Sequence, residues 1–89
     1  MFFIANWKMF GDLKSVNSIK KVIKLSKNKK FNKAQIIYCP PYTLISNFVK
    51  LVKNSKIKVG AQNCHHSQKP GPFTGSVNPD LIKIFFFFF

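Results

Sequence analysis

The chain has 89 residues, which is enough for one small domain, and its fifteen basic residues are all lysines set against two aspartates, giving a formal net charge of +13. The absence of arginine and of any recognition motif argues against specific nucleic-acid binding, so we interpret the lysines mainly as solvated helix faces. No apolar stretch reaches the about 20 residues of a membrane-spanning helix and the start lacks signal-peptide features, so we predict a cytoplasmic protein with no membrane partner.

The first predicted strand runs from Phe2 to Trp7 and ends in polar side chains. Because strand side chains alternate between faces, Asn6 and Lys8 point the same way and Trp7 points the opposite way. The carboxyl ends of strands are where α/β sheets bind ligands. Asn6 and Lys8 are therefore a candidate site, although polar residues that only mark a strand end would give the same pattern.

A helix is predicted after the turn at Gly11 and Asp12, where the aspartate is a possible cap. Its apolar residues share one face, namely Val16, Ile19, Val22 and Ile23. Residues 27–33 form a polar connection rich in Lys and Asn. Residues 34–39 then form a second strand, which is apolar apart from Gln35, as is typical of a parallel strand covered on both faces.

Pro40 and Pro41 end the second strand and suit the start of a second helix. The apolar face of that helix is predicted to comprise Leu44, Ile45, Phe48, Val49 and Val52. A third strand at 57–63, a long loop at 64–78 and a third helix start at 78–80 follow. This alternation predicts an α/β fold with right-handed crossovers and a parallel sheet, but it does not distinguish a closed barrel from an open doubly wound sheet.

Motifs for cofactors and metals are weak in this chain. The phosphate-binding pattern G-x-G-x-x-G does not follow the first strand and no P-loop is present, so neither a dinucleotide site nor nucleotide hydrolysis is supported. Cys39, Cys64, His65 and His66 could suggest zinc. They lack paired Cys-x₂-Cys spacing, however, and adjacent histidines do not share a strand face, so we predict free thiols and no metal.

Three further segments carry a family resemblance: IIYCPPYTL at 36–44, VGAQN at 59–63 and GPFTG at 71–75. Together with the Asn6–Lys8 region, they occur in the same order and at similar separations as in the triosephosphate isomerase family. The chain resembles the amino-terminal part of that family from Phe2 to about Lys83. The resemblance implies a partial (β/α)₈ TIM barrel with about three parallel strands and intervening helices. A complete barrel takes about 250 residues, so we expect an incomplete piece.

The resemblance also implies an activity, the cofactor-free interconversion of dihydroxyacetone phosphate and glyceraldehyde 3-phosphate through an enediolate, in glycolysis and gluconeogenesis. Lys8 matches the family's substrate-binding lysine, with an electrostatic catalytic role, and Asn6 matches the neighbouring binding asparagine. Gln62 and Asn63 either contact the substrate or only end a strand. The family's catalytic His and Glu have no counterpart here, so we expect the chain to be inactive alone.

The segment Gly71–Gly75 resembles the loop that crosses the two-fold interface of the family's homodimer. Thr74 would be its contact residue, although an ordinary turn threonine would fit the same position. Pro72 and Ser76 stand where the family commonly has alanine and glutamate. These departures weaken the expectation of a dimer.

The chain is interpreted as one partial domain, residues 1–84, followed by a phenylalanine tail at 85–89 that reflects truncation or a reading-frame error. A three-stranded piece would leave apolar surface and sheet edges open, so we expect poor behaviour in isolation. Two other functions remain open. One is a non-catalytic basic βα module that binds polyanions, and the other is a different phosphate-sugar barrel enzyme.

Overall fold

The computed structural model describes residues 1–87 and contains a three-stranded parallel sheet. Its strands are β1 (Phe2–Asn6), β2 (Gln35–Cys39) and β3 (Lys58–Val59), arranged in the order β1-β2-β3. All five residues of β1 pair with β2, whereas β3 pairs through two residues. Parallel pairing places the three carboxyl ends at one edge of the sheet, as predicted.

The third strand is shorter than predicted, because Lys58–Val59 replaces the expected 57–63. The N–H of Gly60 still donates to the carbonyl oxygen of Tyr38 at 2.8 Å. To continue the pairing, the main chain just after β2 would have to donate an N–H at position 40 to the segment after β3. Pro40 has no N–H. The ladder therefore stops where the proline begins.

The helices are α1 (Ile19–Ser26), α2 (Tyr42–Val52) and α3 (Pro79–Phe87). The predicted face of the first helix is correct, but the segment begins as a 3₁₀ turn at Ser15–Ser18 before α1 starts. Helix α3 includes the first three phenylalanines of the predicted tail. Phe88 and Phe89 lie outside the described residues, and the proposed origin of the tail stays a prediction.

The core lies between the sheet and α2. All five predicted α2 positions are buried, which confirms the helical periodicity. Phe48 is 0% exposed and packs edge-on against Trp7, with ring centroids 4.9 Å apart, and stacks on Tyr38 at 5.7 Å. Trp7 therefore lies on the face of the sheet that the helices cover.

Within residues 1–87, β2 is the one strand that pairs with β1, so the other edge of β1 is unpaired. Phe2, Phe3 and Ile4 are 62%, 53% and 63% exposed. An open apolar cavity of about 380 Å³ lies between β1 and α1, where Phe3, Leu25 and Tyr38 are among the lining residues. An exposed apolar edge of this kind favours association with other chains, in line with the expected poor behaviour in isolation.

The Asp12–Ser15 turn that precedes the 3₁₀ segment gives a pH prediction. The Asp12 carboxylate accepts the Ser15 N–H at 2.8 Å, and the Ser15 oxygen accepts the Asp12 N–H at 2.7 Å. The bond from the Ser15 N–H to the carboxylate is the main cause that holds the pKa of Asp12 below its ordinary value of 3.8, and the Ser15 side chain adds to it. Since hydrogen bonding favours the ionised form, the contact is complete at neutral pH and is lost as pH falls through the lowered pKa.

An NMR titration of the Ser15 amide measures this loss. We expect the Ser15 resonance to move below pH 3.8 and to stay still in Asp12→Asn, which carries no titrating carboxyl at that position. A wild-type Ser15 resonance that does not move during acidification would contradict the contact.

Candidate functional site

The carboxyl ends of the three strands bring together the polar residues singled out by the sequence. Asn6 ends β1 and Lys8 lies two residues beyond it, Cys39 ends β2, and Gln62 and Asn63 follow β3. Asn6, Lys8, Gln62 and Asn63 are exposed. The parallel register therefore assembles a polar edge from segments up to 57 positions apart in the sequence.

The backbone of Lys8 takes an uncommon conformation. Its φ is +54°, and among the non-glycine residues of 1–87 Lys8 alone has a positive φ. The Asn6 Oδ1 accepts the Lys8 N–H at 2.8 Å, so the two candidate residues are joined side chain to main chain. Backbone strain of this kind persists where the surroundings over-determine it and is concentrated at functional sites.

Gln62 holds Lys8 from the other side. Its Nε2 donates to the carbonyl oxygen of Lys8 at 2.7 Å and to that of Cys39 at 2.9 Å. A side-chain amide nitrogen carries two hydrogens, so both are used by these bonds. Gln62 thus has no hydrogen left for a ligand and acts in this structure by positioning Lys8 against the end of β2.

Asn63 is fixed by α2. The Tyr42 hydroxyl bonds to the main-chain oxygen of Asn63 and lies 2.6 Å from its Oδ1. Burial raises the pKa of Tyr42, and electrostatic repulsion from the Cys64 side chain adds to this effect. This contact could not be predicted from the sequence, because its partners lie 21 positions apart and neither residue type is specific for the other.

The remaining candidates lie in the loop at 64–78. Thr74 is exposed there beside Gly75, whose φ is +80°, and its interface role stays a prediction. The rings of His65 and His66 stack with centroids 4.4 Å apart, and His65 Nδ1 accepts the Ser67 N–H at 3.0 Å. Both cysteines are free thiols. Across residues 1–87, no three metal-ligating side chains of His, Cys, Asp or Glu lie together.

The helices described in residues 1–87 are too short or too polar to cross a bilayer.

Comparison with known proteins gives one consistent result. The family described as "Triosephosphate isomerase" matches residues 1–85. The chain is 40% identical over 80 residues to a triosephosphate isomerase of Dictyoglomus thermophilum. The alignment covers 89% of this chain and 31% of that relative. It is 39% identical over 83 residues to that of Wolbachia sp. subsp. Brugia malayi, covering 90% of this chain and 32% of the relative.

Structural comparison agrees with the sequence comparison. The crystal structure of triosephosphate isomerase from Bartonella henselae superimposes with a TM-score of 0.79 at 28% identity, covering 94% of this chain and 33% of that chain. The chain spans about a third of the length of the curated relatives it matches. The predicted fold, part of a (β/α)₈ barrel with three parallel strands, is thereby confirmed.

Proposed function

Because the chain belongs to the triosephosphate isomerase family, we propose that it supplies the substrate-binding Asn6 and Lys8 for the interconversion of dihydroxyacetone phosphate and glyceraldehyde 3-phosphate in glycolysis and gluconeogenesis. The observation that carries the proposal is the double anchoring of the Lys8 main chain. Asn6 holds its N–H and Gln62 holds its carbonyl oxygen. A lysine needed only for solubility requires neither anchor.

The proposed role of Lys8 is electrostatic. Its ammonium attracts the dianionic substrate and stabilises the negative charge that develops on the substrate oxygens in the enediolate. A fixed cation stabilises the developing charge more than a mobile one, since it needs no reorganisation as the charge develops. The left-handed backbone at residue 8 sets the direction in which the side chain leaves the loop.

In the proposed site, the oxygen of the Asn6 amide contacts the protein and its nitrogen contacts the substrate. Its Oδ1 is engaged by the Lys8 N–H at 2.8 Å, which leaves the two hydrogens of Nδ2 as donors. We assign these hydrogens to a substrate oxygen. Gln62 is then a positioning residue for Lys8, and the enediolate chemistry uses neither a metal nor a cofactor.

Proton transfer between the substrate carbons requires groups that these 89 residues do not provide. The sequence contains no glutamate, and its aspartates are placed elsewhere: Asp12 bonds Ser15, and Asp80 lies in the first turn of α3. His65 packs against His66 and Phe73 in the loop at 64–78. We therefore propose that the chain binds and polarises substrate but does not turn it over alone.

Two further expectations belong to the same proposal. The intact assembly is a cytoplasmic homodimer in which Thr74 reaches across the two-fold axis into the partner's site. The support is the exposed position of Thr74 in the loop at 64–78, next to the left-handed Gly75. Pro72 and Ser76 are the positions at which this interface would differ from that of the family.

A chimera tests the function. Residues 1–84 of this chain replace the matching first third of the Dictyoglomus thermophilum enzyme, and isomerase turnover is measured by coupled assay. We expect turnover above buffer from the chimera and none from the 89-residue chain. A chimera that shows the dichroism and elution volume of its parent but has no activity would contradict the proposal. Turnover by the 89-residue chain that disappears in Lys8→Ala would contradict the missing base.

A further inference from the structure

A group of lysines lies at the amino ends of the strands, at the opposite edge of the sheet from Asn6 and Lys8. Two helix-to-strand connections meet there, residues 27–33 before β2 and residues 53–58 leading into β3. We call their lysines the amino-end surface, which comprises Lys27, Lys29, Lys30, Lys33, Lys53, Lys56 and Lys58. All of these side chains are exposed.

The amino-end surface is held in place by side-chain contacts between and within the two connections. The Nζ of Lys56 donates to Asn32 Oδ1 at 2.9 Å, which joins the connections across 24 positions of sequence. The Asn28 Oδ1 accepts the Lys30 N–H at 3.0 Å and caps the 3₁₀ turn Lys29–Phe31. The lysines therefore project from a shaped turn rather than from an extended tail.

No acidic residue offsets this charge locally. Neither connection contains an aspartate or glutamate. Asp12 follows β1, and Asp80 begins α3 after the loop that follows β3, so both belong to connections at the carboxyl edge. The positive potential at the amino edge is consequently summed without cancellation, which is the condition for attracting a polyanion.

The residue types on this surface indicate how such a ligand would be held. Lysine is a point charge that contacts phosphate without the bidentate base reading that arginine provides. Phe31 lies among the lysines, but it also lines the apolar cavity beside β1 with Phe3 and Ala34, which leaves its ring partly engaged with the protein. The surface thus offers many cations and little apolar anchor for a bilayer.

We propose that the amino-end surface binds the phosphate backbone of a nucleic-acid duplex without reading its sequence. Duplex DNA carries one negative charge per about 1.7 Å of axis, so several lysines engage phosphates at once. This binding is separate from the isomerase site, because the two lie at opposite edges of the sheet. Failure of one proposal leaves the other standing.

The test uses the full chain and a labelled 20-base-pair DNA duplex of arbitrary sequence, with binding followed by fluorescence anisotropy over a salt series. The test variant is Lys29→Gln/Lys30→Gln/Lys33→Gln. The control variant is Lys14→Gln/Lys20→Gln/Lys69→Gln, which has the same net charge but keeps the amino-end surface. A second test variant, Lys27→Gln/Lys53→Gln/Lys58→Gln, checks the result through different residues, and dichroism spectra verify the fold of all three.

We expect both test variants to bind the duplex at least about tenfold more weakly at 50 mM NaCl, with a salt slope shallower by about 2 to 3. The control variant should lose less than about threefold, and a second duplex of different sequence should bind equally well. Equal losses in test and control variants would overturn the proposal, because net charge alone would then explain binding. Absence of duplex binding by the wild-type chain, or tighter binding to vesicles containing phosphatidylserine, would also overturn it.

Discussion

Lys8→Ala in the chimera is expected to lower kcat/KM by about 100- to 1000-fold. Removing one fixed group that stabilises developing negative charge typically has an effect of this size. Alanine keeps the Cβ and leaves the Asn6 and Gln62 bonds in place, because both bonds reach the main chain of residue 8. The loss should therefore come from the missing ammonium rather than from a rearranged loop.

The matched control is Lys14→Ala, which removes a lysine that precedes the 3₁₀ turn at Ser15–Ser18. It has the same effect on net charge and should change kcat/KM by less than about twofold. The comparison separates local charge stabilisation from long-range attraction of the dianion, which depends on the total field. A Lys8→Ala chimera that retains activity within threefold of its parent would remove Lys8 from the proposed mechanism.

Phe48→Ala is expected to lower the free energy of unfolding by about 3 to 5 kcal/mol. The side chain is fully buried and touches both Trp7, which follows β1, and Tyr38, which lies in β2. Truncation leaves a cavity between α2 and the sheet and removes two aromatic contacts at once. Urea unfolding of the chimera at fixed protein concentration measures the change.

Phe10→Ala is the control for this experiment, because Phe10 is 74% exposed and loses the same atoms. Its cost should remain below about 1 kcal/mol. If the two variants unfold at the same urea concentration, α2 does not carry the core in the way the structure indicates.

Periodicity and chain breakers predicted most of the architecture. The α2 face was predictable because an eleven-residue helix with one apolar stripe has one way to bury it. The 3₁₀ turn at Ser15–Ser18 was not, since apolar spacing is nearly the same at the start of both helix types. The early end of β3 follows from a missing donor on its neighbour, which is a property of pairing rather than of residues 57–63.

The candidate site was predictable in its members but not in its internal contacts. Alternation predicted that Trp7 points to the core, as the structure shows. For Lys8 the alternation does not apply, because β1 ends at Asn6, and the two residues are joined by the bond from the Lys8 N–H to Asn6 Oδ1. Alternation could not show that Lys8 leaves the extended conformation, because lysine carries no signal for a positive φ. The bonds from Gln62 to the carbonyl oxygens of Lys8 and Cys39 could not be predicted either, since they depend on three strand ends meeting in space.

The left-handed backbone at residue 8 lowers the stability of the chain as long as the residue there is not glycine. A side-chain-bearing residue in that conformation costs about 1 kcal/mol relative to glycine. Selection for heat resistance alone would therefore replace Lys8 with glycine and discard the ammonium. Under the proposed function, the lysine at this position lowers stability in exchange for a cation at the site.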